Sequence, residues 1–468
     1  MVALSFGGER SAPLPTAIPT PHLSYDLPHP SYAGAISCAA ASCHGGGEPG
    51  KTGSEYNTWI EKDPHSRAYA VLFNEVSKRI ARNRQRTTRT AEIVPAHRDS
   101  LCLKCHALNI EVPERVAIAS PISERVPSRD VFASQGVGCE SCHGGAGNWL
   151  STHYQPGFLE GKTREKAERH GLYPTKDLAF RVTLCTSCHV GSEHQEVDHD
   201  LIAAGHPRLM FEYTRFQRKP AYKAHWREKA YGDDFEARAW AIGQVATARA
   251  SVDLLRARAE RAGAKPSTWP ELTEYSCYAC HKALDPNRES WKSLTATDRK
   301  PGVLPWGSWT LPALPVLAID DGDRKALKQL RELRDTMENS PAKTNEIALQ
   351  CKKILPELDA WLVRLERRPF TPQQIGSLLQ AVADHATTRD GKLNDLDWDG
   401  ATQHFNGLAS LHLGRKKADP AWAVLLADLE KQLRLPPQFN SPRDGHPAEI
   451  LKLFQKLQTA SRKSEPPP

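Results

Sequence analysis

Several things are scarce in this chain. No stretch approaches the roughly 18 consecutive apolar residues that cross a bilayer, so no transmembrane helix is expected. No dense Lys/Arg block is present, which removes nucleic acid from the expected partners despite the formal charge of +7. No run alternates apolar and polar residues as a half-buried strand would, which argues against a β architecture. Residues Met1 to Pro15 lack the basic and apolar regions of a secretory signal, so a mature or cropped form, or a mis-set start, is expected. Hydrophobic residues are only 39% of 468, and methionines number three: Met1, Met210 and Met337. So long a chain with so few apolar side chains needs some other material to fill its core.

Cysteine is the exception. Ten of the 11 cysteines fall into five pairs, each followed at once by histidine. Four pairs have the spacing Cys-x-x-Cys-His: Cys102 and Cys105 before His106, Cys139 and Cys142 before His143, Cys185 and Cys188 before His189, and Cys277 and Cys280 before His281. Two thiols at this spacing reach the two vinyl groups on one haem edge, and the adjacent imidazole turns under the iron. Cys38 and Cys43, before His44, are separated by four residues; here too a histidine and then glycines follow, and the larger loop is read as spanning the vinyls. Zinc also binds paired cysteines, but it does not require a histidine directly after each second one, and disulfides leave the histidines unexplained. The pattern therefore predicts five covalently attached haem c groups with iron. Each haem adds about −1, which brings the net charge to about +2 and leaves the basicity uninformative about partners. Cys351 stands alone on an apolar helical face and reads as a core residue.

Each proximal histidine leaves one axial position on its iron. With three methionines, His/Met ligation serves one or two haems at most, and most should be bis-histidine. The distal candidates are His65, His153, His199 and His206. His194 and Met210 are in reserve, while His97, His170 and His225 read as surface residues. Four distal ligands for five haems leave one iron potentially open. An open iron allows small-molecule chemistry, whereas a closed set allows only electron transfer.

Along the chain, residues 1–36 read as an extended Pro-rich lead-in, 37–300 as a pentahaem domain, 301–316 as a Pro/Trp-rich linker, 317–462 as a helical bundle of four or five helices, and 463–468 as a disordered tail. Asp63-Pro64 should open a helix with an apolar face of His65, Tyr69, Leu72, Phe73, Val76 and Ile80. Asp233 and Asp234 should open a long Ala-rich helix ending near Gly263. Leu327, Leu330, Leu333 and Met337, and then Ile347, Cys351, Ile354 and Leu358, form stripes at helical spacing. Thr371 to Gln374 resembles a capping box, with further caps at Asp397 and Asp419. The fold class is mainly α: a loop-rich multihaem domain with a C-terminal helical bundle.

The segment Gly136 to Gly145, around Cys139 and His143, closely resembles the third haem site of the tetrahaem cytochrome c that accepts electrons from hydroxylamine oxidoreductase. The first four motifs follow that family's order; Trp59, His65 and His153 resemble its Trp and distal histidines, and His199 to Glu212 resembles a pattern in larger cytochromes of the hydroxylamine oxidoreductase superfamily. The resemblance spans about residues 37–195. It implies electron transfer between stacked haems in a periplasmic or other extracytoplasmic compartment, with redox protein partners. It also implies a second haem, that of His106, without a protein sixth ligand. The expanded first motif, the fifth motif and the C-terminal part depart from that pattern. Two functions are carried forward: electron transfer through five haems in a respiratory chain, and oxidation or reduction of a small nitrogen or sulfur compound at an open haem.

Overall fold

The computed structural model describes residues 30–88, 93–108, 129–193, 195–226, 232–264, 269–281, 295–296, 299–300, 302–388, 392–394, 397–415, 419–435 and 446–463. Most of the lead-in, His194 and the last five residues lie outside the described residues. The fold is mainly α and rich in loops. Among the described residues the only strands are Thr295–Ala296 and Leu393–Asn394, two residues each and paired in parallel. No described helix is long and apolar enough to cross a membrane.

One helix organises the molecule. Phe235–Ala264 is 30 residues long, about 45 Å at 1.5 Å per residue. It is buried on nearly all sides, so its sequence shows no single apolar stripe; alanines recur instead, at 237, 239, 241, 246, 248, 257 and 259. Small side chains let neighbouring helices approach closely. Helices Leu178–His189, Thr344–Arg367 and Trp398–Leu413 pack directly on it. At one crossing Trp240, fully buried, lies over Gly407, where an added Cβ would stand 2.7 Å from the indole. The cations on this helix are paired: Arg249 with Asp359 at 3.0 Å, and Arg258 with Glu274 at 2.7 Å. A buried guanidinium is tolerated only with such a partner.

Among the described residues the C-terminal part contains six helices, more than the four or five expected: Asp321–Asn339, Thr344–Arg367, Pro372–His385, Trp398–Leu413, Pro420–Leu433 and Pro447–Lys463. The capping box at Thr371 forms, and Asp397 and Asp419 cap their helices. Leu330, Leu333, Met337 and the whole stripe from Ile347 to Leu358 are buried, Cys351 among them. One apolar cluster runs without a break from Leu178 through the central helix to Leu457. The hydrophobic core therefore does not stop at residue 300.

Residues 30–175 are built differently. Their own apolar cluster comprises Leu72, Ala96, Leu103, Ala107 and Ala133, with Tyr69 and Cys102 packed against it. The helix expected from Asp63 is interrupted. Two short 3₁₀ turns, Pro64–Arg67 and Ala70–Phe73, precede a helix that begins at Glu75. Asn74 causes the break: its backbone is extended, and its side chain accepts the Ser77 amide at 2.8 Å as a new cap. Of the expected apolar face only Leu72 is buried, while Phe73 and Val76 are exposed.

Candidate haem-binding site

The four regular motifs each lie on a helix: Ser100–His106, Cys139–His143, the end of Leu178–His189, and Cys277–His281. A helical turn sets the two cysteines, three apart, on one side and carries the histidine just past them. Asp99 caps the second motif by accepting the Leu101 amide at 2.9 Å. In the third motif Glu140, one of the two intervening residues, is buried. Its carboxylate accepts the amides of Ala33 (2.8 Å), Gly34 (2.7 Å) and Ala146 (2.7 Å), tying the end of the lead-in to the motif.

The expanded first motif begins in the 3₁₀ turn Ala35–Cys38 and closes through Cys43 N–H to Ala40 O at 2.9 Å and Gly45 N–H to Ala40 O at 3.0 Å. The glycines after His44 are required here. An added Cβ on Gly45 would lie 1.9 Å from Ala39 O, and one on Gly46 2.4 Å from Ala41 O.

The C-terminal helices hold the last two motifs. Glu366 accepts the amides of Leu178 (3.1 Å) and Ala179 (2.7 Å), so a residue from the far helix caps the N-terminus of the fourth motif's helix. Ser276, next to Cys277, donates to Asp397 at 2.5 Å, and Arg208 pairs with Asp399 at 2.8 Å.

The proximal histidines are not alone. His44 lies 6.2 Å from His153 between ring centroids, His65 5.9 Å from His189, His106 6.4 Å from His206, and His143 6.1 Å from His225. Two imidazoles on one iron require about 6 Å, since each metal–nitrogen bond is about 2.0 Å long. The partners come from distant segments: His153 follows the third motif but faces the first, and His65 follows the first but faces the fourth. His225, read from sequence as a surface residue, is half-buried against His143. Its signal was faint: a histidine beside Trp226 on a short helix, Pro220–Trp226, within a basic stretch. His199 and His281 make no ring contact with each other or with another histidine among the described residues. The His199 amide donates to Glu271, ten residues before His281.

Hydrogen bonds orient these rings. The Nδ1 atoms of His44, His106, His153 and His206 face Glu55 (2.9 Å), Ala68 O (2.9 Å), Leu150 O (2.8 Å) and Pro207 O (2.8 Å). His65 Nδ1 faces the Tyr222 hydroxyl at 3.1 Å and Asp63 at 3.2 Å. With Nδ1 engaged, Nε2 is left for a metal, the arrangement in which an outer partner fixes a ligating histidine. Burial holds His143 near a pKa of about 3 and His189 near about 4, so both stay neutral, the form that ligates iron. The thiols also meet across motifs: Cys38 with Cys139, and Cys105 with Cys188, while Cys142 lies near Cys185 and Cys188. These contacts order the motifs as first, third, fourth, second. Thiol pairs, imidazoles with Nε2 left for a metal, and a sparse apolar core around the first three motifs fit haem c.

Residues 37–144 match the family model described as cytochrome c554 and c-prime. The match supports a multihaem cytochrome c. It covers the first three motifs of the chain and supports covalently bound haem c with its iron, electron transfer, and redox protein partners. No curated protein and no solved structure matches the chain.

Proposed function

We propose that the chain is an exported pentahaem cytochrome that carries electrons in a respiratory chain, with its irons held by histidine on both faces. Haem c supplies a one-electron ferric/ferrous couple. Cys38 and Cys43, Cys102 and Cys105, Cys139 and Cys142, Cys185 and Cys188, and Cys277 and Cys280 would anchor the five groups. His44 with His153, His106 with His206, His143 with His225 and His189 with His65 would hold four of the irons. His199, tied to Glu271, is left for His281. The observation that carries this reading is the recurrence of one spacing, 5.9 to 6.4 Å, at four proximal histidines. The thiol contacts support short steps between neighbouring groups along the order first, third, fourth, second.

The same spacing weighs against chemistry at an open second haem, because His206 stands on the side where a small nitrogen or sulfur compound would bind. The likeness to the electron acceptor of hydroxylamine oxidoreductase supports a place in nitrogen-compound respiration, with an extracytoplasmic location. The reading is tested by the intact mass of protein purified from a host competent in cytochrome c maturation. An excess of five haems over the polypeptide is expected. A colourless, unmodified chain would overturn it.

A further inference from the structure

Helix Glu75–Thr88 has two faces of different character. Its inner face is fixed: Asn83 donates to Ala204 O at 3.0 Å, Ile80 lies against Gly205, and Arg84 pairs with Asp99. Gly205 immediately precedes His206, and Asp99 caps the helix that carries Cys102, Cys105 and His106. This helix therefore abuts both sides of the second haem site. Its outer face carries Lys78, Arg79, Arg82 and Arg86, all exposed. Arg79, Arg82 and Arg86 follow the helical repeat, so these three cations form one stripe, with Glu75 at its head. Glu75 pairs with Lys78 at 2.7 Å and also interacts with Arg82, so its single carboxylate is set against four cations on this face. Phe73 and Val76, exposed apolar residues, lie at the start of the stripe. An apolar spot bordered by cations beside a redox group suits brief, steered contact with an acidic protein.

We propose that this outer face is the docking surface for an acidic redox protein that exchanges electrons with the second haem. The proposal rests on the electron-transfer reading above. In the exchange the partner's reduced cofactor loses one electron, one ferric iron becomes ferrous, and no bond is made or broken. The charges raise the encounter rate, and the helix holds the partner over Gly205 and His206.

The test uses the haem-loaded cytochrome with a reduced flavodoxin as the acidic probe, followed by stopped-flow absorbance at low and high salt. The wild type should be reduced quickly at low salt and more slowly as salt rises. The R79E/R82E/R86E variant should lose about tenfold or more of the low-salt rate and reverse the salt trend. The R79Q/R82Q/R86Q variant should fall between them. Calorimetry with oxidised flavodoxin should show binding weakened in the same order. Dithionite, a small reductant that needs no docking face, should reduce all three equally. The docking proposal fails if the variants keep the wild-type rate and salt trend, or if flavodoxin does not reduce a wild type that dithionite does. If dithionite yields no reduced haem spectrum, the electron-transfer reading fails instead.

Discussion

Replacing His206 by alanine should convert one closed iron into an open one. The His206 ring stands 6.4 Å from His106, and its Nδ1 faces Pro207 O at 2.8 Å, which leaves Nε2 toward the second haem. Subtracting about 1.1 Å of ring radius at each end leaves about 4 Å, room for two metal–nitrogen bonds of about 2.0 Å. Truncation to alanine removes the imidazole and leaves space for a diatomic ligand on that face. Reduced wild-type protein should therefore show no carbon monoxide shift, whereas His206→Ala should bind one carbon monoxide per chain, one fifth of its haems. A high-spin ferric signal of the same proportion should appear in magnetic resonance. His199→Ala provides the comparison, because its effect should fall on a different haem. The reasoning is refuted if wild-type protein already binds carbon monoxide stoichiometrically, or if His206→Ala binds none while retaining all its haem.

Three further outcomes follow. Glu55→Gln removes the carboxylate facing His44 Nδ1 at 2.9 Å; with this half-exposed pair partly screened by water, the midpoint potential of one haem should rise by tens of millivolts in a spectroelectrochemical titration, since ~1 kcal/mol is ~40 mV for one electron. Trp240→Ala empties a fully buried site over Gly407 and should cost about 3–5 kcal/mol in denaturant unfolding of the haem-loaded protein, with its haem spectrum unchanged before the transition. In the C-terminal part His385 Nδ1 meets His404 Nε2 at 2.9 Å, and burial lowers their pKa values to about 4 and about 3. Folded values below the unfolded value of about 6.5 mean that the unfolded chain binds more protons, so stability falls as the pH drops below about 6.5. His385 alone accounts for about 2 kcal/mol lost by pH 5, and His404→Gln should flatten this acid limb in unfolding curves.

The motifs themselves were legible because they are local: two cysteines and a histidine within five or seven residues define each one. The caps at Thr371, Asp397 and Asp419 were legible for the same reason, as was the long helix, expected from Asp233 to Gly263 and found at Phe235–Ala264. The pairing of the histidine rings was not. His44 and His153 are separated by 109 positions, and His65 and His189 by 124, with no pattern between them that records the contact. His225, half-buried against His143, read as a surface residue because lysines and arginines surround it in the sequence. The interrupted helix after Asp63 shows the opposite failure. A strong local signal was overridden by Asn74, which closes one segment and opens the next.

The low apolar fraction takes on a physical meaning once the two regions are compared. Beyond residue 178 the chain fills its interior with ordinary side chains in one continuous cluster. Before it, five residues form the only buried apolar cluster among the described residues, yet that stretch carries three of the five motifs. Polar ties stand in for packing there: Glu140 on three amides, and Trp59 Nε1 donating to Val137 O at 3.0 Å. Such ties fix geometry but bury little apolar surface, so they supply little of the hydrophobic term that drives folding. On the proposed function the missing surface would come from the macrocycles. Through Glu366 and Asp397 the C-terminal helices hold the fourth and fifth motifs against a continuous core of ordinary side chains. Attachment of haem at the first three motifs should accordingly decide whether the N-terminal region folds at all, while the region after residue 178 keeps its packing.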